Sequence, residues 1–168
     1  MTALWWLLGF VVLQRLAELA YARRNERRLR AVGAVEHGSG HYPLIVLLHA
    51  AWLAAIAWFI PADAPPNWYW AGLFGLLQLA RLWVLASMGR YWTTRVMTLP
   101  DAPLVRRGPY RWLRHPNYLI VAAEILVLPA IFGAWTIAIL FSIANAILLA
   151  WRIRIEDAAL APRRDVTI

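Results

Sequence analysis

The sequence predicts an all-α fold: an integral membrane bundle of five transmembrane helices, the last two forming a helical hairpin. Three observations carry that prediction. The 168 residues are 62% hydrophobic and only 15% charged, with a mean hydropathy of +0.55, well above the usual range of a soluble domain. Apolar runs recur at lengths near the roughly 20 residues that a helix needs to cross a bilayer. The basic residues, all of them arginine, gather between those runs. The absence of cysteine excludes a disulfide scaffold, an iron–sulfur cluster and a thiol nucleophile. With about five spans, residues 1–168 are expected to form one membrane domain with no room for a second.

Residues 2–21 are apolar apart from Gln14, Arg15 and Glu18, and no small-residue cleavage site precedes the arginines that follow, so this run reads as a retained first span. Arg15 and Glu18, three apart, are expected to neutralise each other or to face the bundle interior. Residues 43–60 and 68–88 read as the second and third spans. They are parted by Pro61-Ala-Asp-Ala-Pro-Pro66, whose prolines cannot continue a helix. His49 in the second span is expected to hydrogen-bond a neighbouring helix. Residues 118–151 stay apolar for 34 positions, which as one helix would measure about 50 Å against a hydrocarbon core of about 30 Å. The run must therefore fold back. Pro129 and Gly133 mark the reversal near Phe132-Gly133-Ala134, with a fourth span at 118–132 and a fifth at 134–151.

Of the 17 basic residues, five fall at 23–30, six at 90–114 and four at 152–164, whereas the turns at 61–67 and around Gly133 carry none. By the positive-inside rule the N-terminus lies outside, while the arginine-rich loops and the C-terminus face the cytosol, the setting being a bacterial inner membrane. Anionic lipid headgroups attract such loops. The formal charge of +8 thus reports topology and not nucleic-acid binding, because the arginines flank hydrophobic spans and no aromatic-interleaved binding module accompanies them.

Residues 89–117 form a connector of 29 residues, long for a compact bundle. Its aromatics, prolines and arginines argue for an ordered segment at the membrane surface; an interfacial anchor is the plainer alternative. The motifs favour function. Gly108-Pro109-Tyr110 is followed by Arg114-His115-Pro116-Asn117-Tyr118 at the start of the hairpin, and Arg152-Ile-Arg-Ile-Glu156 stands at its end.

In order and spacing these motifs resemble the isoprenylcysteine carboxyl methyltransferase family, over residues 81–160. In that family Gly-x-Tyr, Arg-His-Pro-x-Tyr and Arg-x-x-x-Glu jointly hold S-adenosylmethionine. The resemblance implies five spans with a cofactor-binding half at 89–160. It implies cofactor contacts at Ala102, Pro103, Leu104, Val105, Tyr110, His115, Pro116, Asn117, Tyr118 and Glu156. Arg152 would hold the acceptor, and the catalytic set would be Arg152, Glu156 and His115. Two features depart from the pattern: Arg95 stands where the family carries an amide-bearing cofactor contact, and Ala161-Pro162-Arg163-Arg164 replaces the aromatic-containing extension of the prenylcysteine enzymes, which implies a different lipid acceptor. The stretch from Thr94-Arg95-Val96 to Pro103, with Arg-His-Pro-Asn-Tyr and Glu124, is most similar to small bacterial members that accompany type III polyketide synthases and O-methylate alkylpyrones or alkylresorcinols. Such a synthase is the implied associate.

The implied reaction is an in-line displacement, for which a protein must hold a methyl carbon and an oxygen nucleophile in contact and exclude water, with no metal required. A pocket under 89–117 would admit a soluble cofactor from the cytosol and a lipophilic acceptor from the bilayer. Gly38-Ser39-Gly40 lacks a third glycine and a preceding strand, so a Rossmann-type dinucleotide loop is excluded. Arg152 and Glu156, four apart, share one helix face; the bland reading is a solvated ion pair. A carboxylate acceptor arrives ionised, whereas a phenol or hydroxypyrone needs a base, for which His115, Glu124 and Glu156 are the candidates. Pro116 suits the first turn of a helix whose free N–H groups face an anion, and Tyr118 is either a site residue or part of an interfacial belt. Glu124, at membrane depth, either contacts the substrate or pairs with Arg81. His37 and His41 have no third ligand nearby, so no metal site is expected. The competing readings are a phospholipid N-methyltransferase, a sterol-reductase-like enzyme using a nicotinamide nucleotide, and a non-catalytic membrane subunit.

Overall fold

A computed structural model describes residues 2–99, 102 and 104–161. Five helices dominate: α1 (Ala3–Ala31), α2 (Tyr42–Phe59), α3 (Trp68–Met88), α4 (Pro116–Ala130) and α5 (Trp135–Leu160). Four of the corresponding segments are long and apolar enough to cross a membrane, and α4 is a shorter apolar helix of 15 residues. Leu13, Leu47, Leu76, Leu140 and Ile147, on four different helices, are each at least 60% exposed. That would be untenable in water but is ordinary where lipid is the solvent.

Each helix ends where its sequence requires. The first helix does not stop at residue 21 but continues through the arginine cluster to Ala31, because Ala, Arg, Glu and Leu are strong helix formers and no glycine intervenes before Gly33. Gly33 then takes φ +90°, and the Ala34 N–H closes on Leu29 O at 2.9 Å, a left-handed stop of the kind glycine favours. Along α1 the buried residues Leu4, Leu8 and Val11 give way to Glu18, Ala22, Asn25 and Leu29. One face is thus apolar at one end and polar at the other. The α4–α5 reversal falls where Pro129 and Gly133 indicated, with Gly133 at φ +70° and the Ala134 N–H on Pro129 O at 3.0 Å. Asn67 caps α3, its Oδ1 accepting from Tyr69 N at 3.0 Å, and its own N–H donates to Ile131 O at 2.7 Å. The two arginine-free turns are thereby joined.

At that end Leu4, Leu8, Trp52, Ile56, Phe74, Ile125 and Leu128 form the main core, and a smaller cluster of Ala22, Val84, Trp92 and Ile120 lies toward the arginine-rich end. Glu124 of α4 is 2% exposed. It accepts from Arg81 Nε at 2.9 Å, Gln78 Nε2 at 2.9 Å and Arg15 Nη2 at 2.6 Å, and again from Arg81 Nη2. Glu18 receives Arg15 Nη1 at 3.0 Å and Arg81 Nη1 at 3.1 Å. Two arginines and two glutamates from α1, α3 and α4 therefore cancel, the condition under which charge is tolerated at depth. His49 differs from expectation: its Nδ1 faces Ile45 O of its own helix at 2.8 Å instead of a neighbouring helix, which satisfies the ring locally.

The arginine-rich end carries a feature the helical pattern did not announce. β1 (Val35–His37) and β2 (Val96–Thr98) pair antiparallel, with Glu36 opposite Met97, and the His37 Nε2 lies 2.7 Å from Thr98 Oγ1. A strand therefore does precede Gly38, contrary to the sequence reading. It belongs to a two-stranded ribbon and leads into a 3-10 turn at Ser39–His41, not into the βαβ unit of a dinucleotide fold.

Candidate active site

The arginine-rich end of the bundle holds a cavity of about 450 Å³, inside the range of roughly 300–1,000 Å³ typical of small-molecule sites. Its walls come from Leu29 of α1 and Ala34 just beyond it, from parts of the segments 88–99 and 104–118, and from Arg152, Glu156, Asp157 and Leu160 of α5. No single stretch of sequence builds it.

Glycine at 108 has a steric reason. Its φ is +57°, and a Cβ there would stand 2.9 Å from the Ser87 Cβ and 3.2 Å from Trp83 Nε1. Only a residue without a side chain lets the 3-10 turn Gly108–Arg111 lie flat on the end of α3. That turn directs Tyr110 into the cavity wall. Six residues after Tyr110, Pro116 opens α4 at its first turn and forbids helical geometry at His115, whose φ and ψ are −129° and 58°. His115 and Tyr118 are thus held side by side, rings stacked with centroids 5.3 Å apart at 17°.

The polar chemistry converges on the Tyr118 hydroxyl. It accepts from Arg152 Nε at 2.7 Å and donates to the Glu156 carboxylate. Arg152 also donates through Nη2 to Thr94 O at 2.8 Å, and its guanidinium carbon lies 5.5 Å from the Tyr118 ring centroid. His115 presents Nδ1 at 3.7 Å from Glu156 Oε1 and Nε2 at 3.3 Å from Asp157 Oδ1. The Glu156 carboxylate, reinforced by Asp157 and outweighing burial, holds the His115 pKa above its ordinary value. Burial, with the Glu156 charge added, pushes the Tyr110 phenol up. Tyr110 therefore remains a neutral hydroxyl at physiological pH.

The cover over the cavity is tied down from α1. Asn25, 1% exposed, donates to Trp92 O at 2.9 Å and Gly89 O at 3.2 Å. Glu26 accepts from the Thr94 N–H at 3.3 Å and hydroxyl at 3.2 Å. The arginine cluster of α1 thus continues as a helix whose inner face anchors the bend at Thr94, just before β2. Arg95, where the motif pattern called for an amide, pairs with Glu36 at 2.5 Å and lies 4.7 Å from the Tyr42 ring centroid. Arg30 takes the other Glu36 oxygen. Burial alone would raise the Glu36 carboxyl, but the Arg95 and Arg30 guanidinia hold it low.

Of the residues singled out in the sequence, Leu104, Val105, Tyr110, His115, Asn117, Tyr118, Arg152 and Glu156 all line this one cavity. Pro116 is buried at the start of α4, and Ala102 donates to Leu99 O at 3.3 Å in a turn outside the lining. Pro103 lies outside the described residues. Glu124 sits apart, within the charge network of α1, α3 and α4. Sequence reasoning missed Asp157 and the Thr94 carbonyl. Asp157 was recoverable as the acid next to Glu156; nothing in a sequence marks a backbone carbonyl. Among the described residues no group of three metal-ligating side chains occurs.

The lining suits a polar ligand. The Asn117 Oδ1 is buried without a hydrogen-bond partner, acceptor capacity that a bound molecule would satisfy. The model of the isoprenylcysteine carboxyl methyltransferase family matches residues 70–162. The chain is also 42% identical over 160 residues to the uncharacterized protein YpbQ of Bacillus subtilis, covering 93% of this chain and 95% of that one. An uncharacterized protein of Haemophilus influenzae is 28% identical over 152 residues, 88% of each chain. No solved structure matches.

Proposed function

The chain belongs to the isoprenylcysteine carboxyl methyltransferase family, and we propose from that premise that it is an S-adenosylmethionine-dependent enzyme that O-methylates a lipophilic acceptor at the cytosolic surface of a bacterial inner membrane. The observation that carries this reading is the convergence of residues from all three motifs, Tyr110, then His115, Asn117 and Tyr118, then Arg152 with Glu156, on one cavity at the arginine-rich end. When bound, the cofactor supplies a methyl carbon that an oxygen nucleophile attacks in line, the carbon–sulfur bond breaking as the oxygen–carbon bond forms.

The residues have distinct tasks in this reading. Leu104, Val105 and Tyr110 enclose the cofactor and exclude water. His115, whose pKa Glu156 and Asp157 raise, would help to hold the cofactor, with Asn117 beside it. Glu156 accepts the Tyr118 hydroxyl and hydrogen-bonds the cofactor. Arg152 orients the anionic oxygen of the acceptor. One candidate base is thereby disfavoured: Glu124 is saturated by Arg81, Arg15 and Gln78. A carboxylate acceptor needs no base, whereas for a phenol or hydroxypyrone His115 and Glu156 are the candidates that line the cavity. Association with a type III polyketide synthase follows if that pyrone is the acceptor.

Calorimetric binding of S-adenosylhomocysteine to the protein in detergent tests the proposal, with a nicotinamide nucleotide run in parallel. We expect saturable binding that Glu156→Ala abolishes, and methyl transfer to an alkylpyrone or fatty carboxylate that Arg152→Ala impairs chiefly through the acceptor KM. Preference for the nicotinamide nucleotide would point to a reductase, and unimpaired transfer by both variants would end the assignment.

A further inference from the structure

We propose that a second groove at the same end of the bundle, lined by Arg90, Tyr91, Leu104, Val105, Arg106 and Arg107, binds the phosphodiester headgroup of an anionic membrane lipid. Three guanidinium groups share the groove, and among the described residues no carboxylate lines it. Two of the three are already oriented. Arg107 Nε donates to Ser87 O at 2.6 Å. Its Nη2 stands 3.2 Å from where a side chain would begin at Gly89, a residue with φ +52°, so glycine there gives that guanidinium its room. Arg90 lies 5.0 Å from the Tyr91 ring centroid and donates to the Tyr91 hydroxyl at 3.0 Å. Guanidinium forks fixed in advance meet phosphate oxygens in pairs and lose less freedom on binding than free side chains do.

Depth favours a lipid over a soluble anion. The 21 residues of α3 span about 32 Å, close to the roughly 30 Å hydrocarbon thickness. With Trp68 and Tyr69 at one interface, Met88 to Tyr91 fall at the other. Trp83 and Trp112, 51% and 71% exposed with ring centroids 6.2 Å apart, lie close by and mark the headgroup level. Tyr91, Leu104, Val105 and Arg106 also line the candidate active-site cavity, so a headgroup in the groove backs one of its walls. Only this last consequence rests on the methyl-transfer reading; the lipid site does not.

The test uses the full chain in lipid discs of phosphatidylcholine with increasing fractions of phosphatidylglycerol, counting retained lipid by native mass spectrometry and following the thermal midpoint. Arg90→Gln with Arg106→Gln empties the groove of two charges, and Arg23→Gln with Arg27→Gln removes the same charge from the exposed side of α1. We expect preferential retention of phosphatidylglycerol, weakened about thirtyfold by the groove pair, from roughly fivefold per arginine, and less than about twofold by the α1 pair. Equal losses in both pairs would mean a diffuse field and no site. Equal retention of the two lipids would overturn the proposal, as would stabilisation reproduced by inorganic phosphate in phosphatidylcholine discs.

Discussion

Glu124→Gln separates a structural from a catalytic role for the glutamate that α4 contributes to the buried charge network. The substitution preserves size but removes the charge facing two guanidinia. In the native chain Glu124 takes Arg81 Nε at 2.9 Å, Gln78 Nε2 at 2.9 Å and Arg15 Nη2 at 2.6 Å. Afterwards Arg15 and Arg81 face Glu18 alone, and the amide NH2 opposes a guanidinium donor. Removing one partner of a buried ion pair costs about 3–5 kcal/mol, and for a protein of this size each kcal/mol moves the thermal midpoint by roughly 2–4 °C. The expected drop is therefore about 6–20 °C, read from tryptophan fluorescence in detergent. Arg15→Gln combined with Glu124→Gln restores neutrality and keeps the Arg81–Glu18 pair, so the double variant should be more stable than Glu124→Gln alone. Binding of S-adenosylhomocysteine well below the midpoint should be unchanged. A Glu124→Gln protein as stable as the native chain but unable to use its acceptor would refute this reasoning and make Glu124 a substrate contact.

Tyr118→Phe deletes the hydroxyl that accepts from Arg152 and donates to Glu156; a hydrogen bond to a charged group contributes about 1.5–3 kcal/mol, so calorimetry should report cofactor affinity weakened roughly ten- to a hundredfold. Because the His115 pKa is raised in the fold from 6.5, the stabilisation it provides is complete below the unfolded value and is lost as pH rises through the folded one. The thermal midpoint should accordingly fall as pH climbs above neutrality, and His115→Asn should flatten that part of the profile. Gly108→Ala combines a left-handed φ with collision against Ser87, whereas Gly33→Ala, at φ +90° in open space, suffers strain alone, about 1–2 kcal/mol. The first should unfold at a clearly lower temperature than the second, and equal midpoints would show that the turn does not pack on α3 as described.

Helix breaks were legible because proline and glycine announce them by geometry. Pro61, Pro66, Pro129 and Gly133 marked turns found at those places. The motif residues were legible for a different reason: each occupies a position where its type is demanded, Gly108 by contact with Ser87 and Pro116 by the first turn of α4. What stayed hidden depends on pairing between distant segments. Val35–His37 and Val96–Thr98 are too short for alternation to reveal, and their union needs Arg95 to meet Glu36 across the chain. The extension of α1 was hidden by the hydropathy criterion itself, which stops at charge although helix propensity does not. His49 could have bonded any carbonyl in reach, and a sequence ranks none of them.

The shortness of α4 bears on how the chain enters the membrane. Its 15 residues reach only about 22 Å, and an ionised side chain near its middle adds a penalty of roughly 2.5–3.5 kcal/mol on insertion scales. Left alone beside the translocon, such a segment would slip back toward water. The remedy is built into order of synthesis: α1 and α3, carrying Arg15 and Arg81, emerge first and wait as a counter-charge, while α5 follows through a short turn at 131–134 and pulls α4 in as one limb of a paired hairpin. Arg152, Glu156 and Asp157 ride on α5, so the cavity cannot close before both limbs of the hairpin are in place.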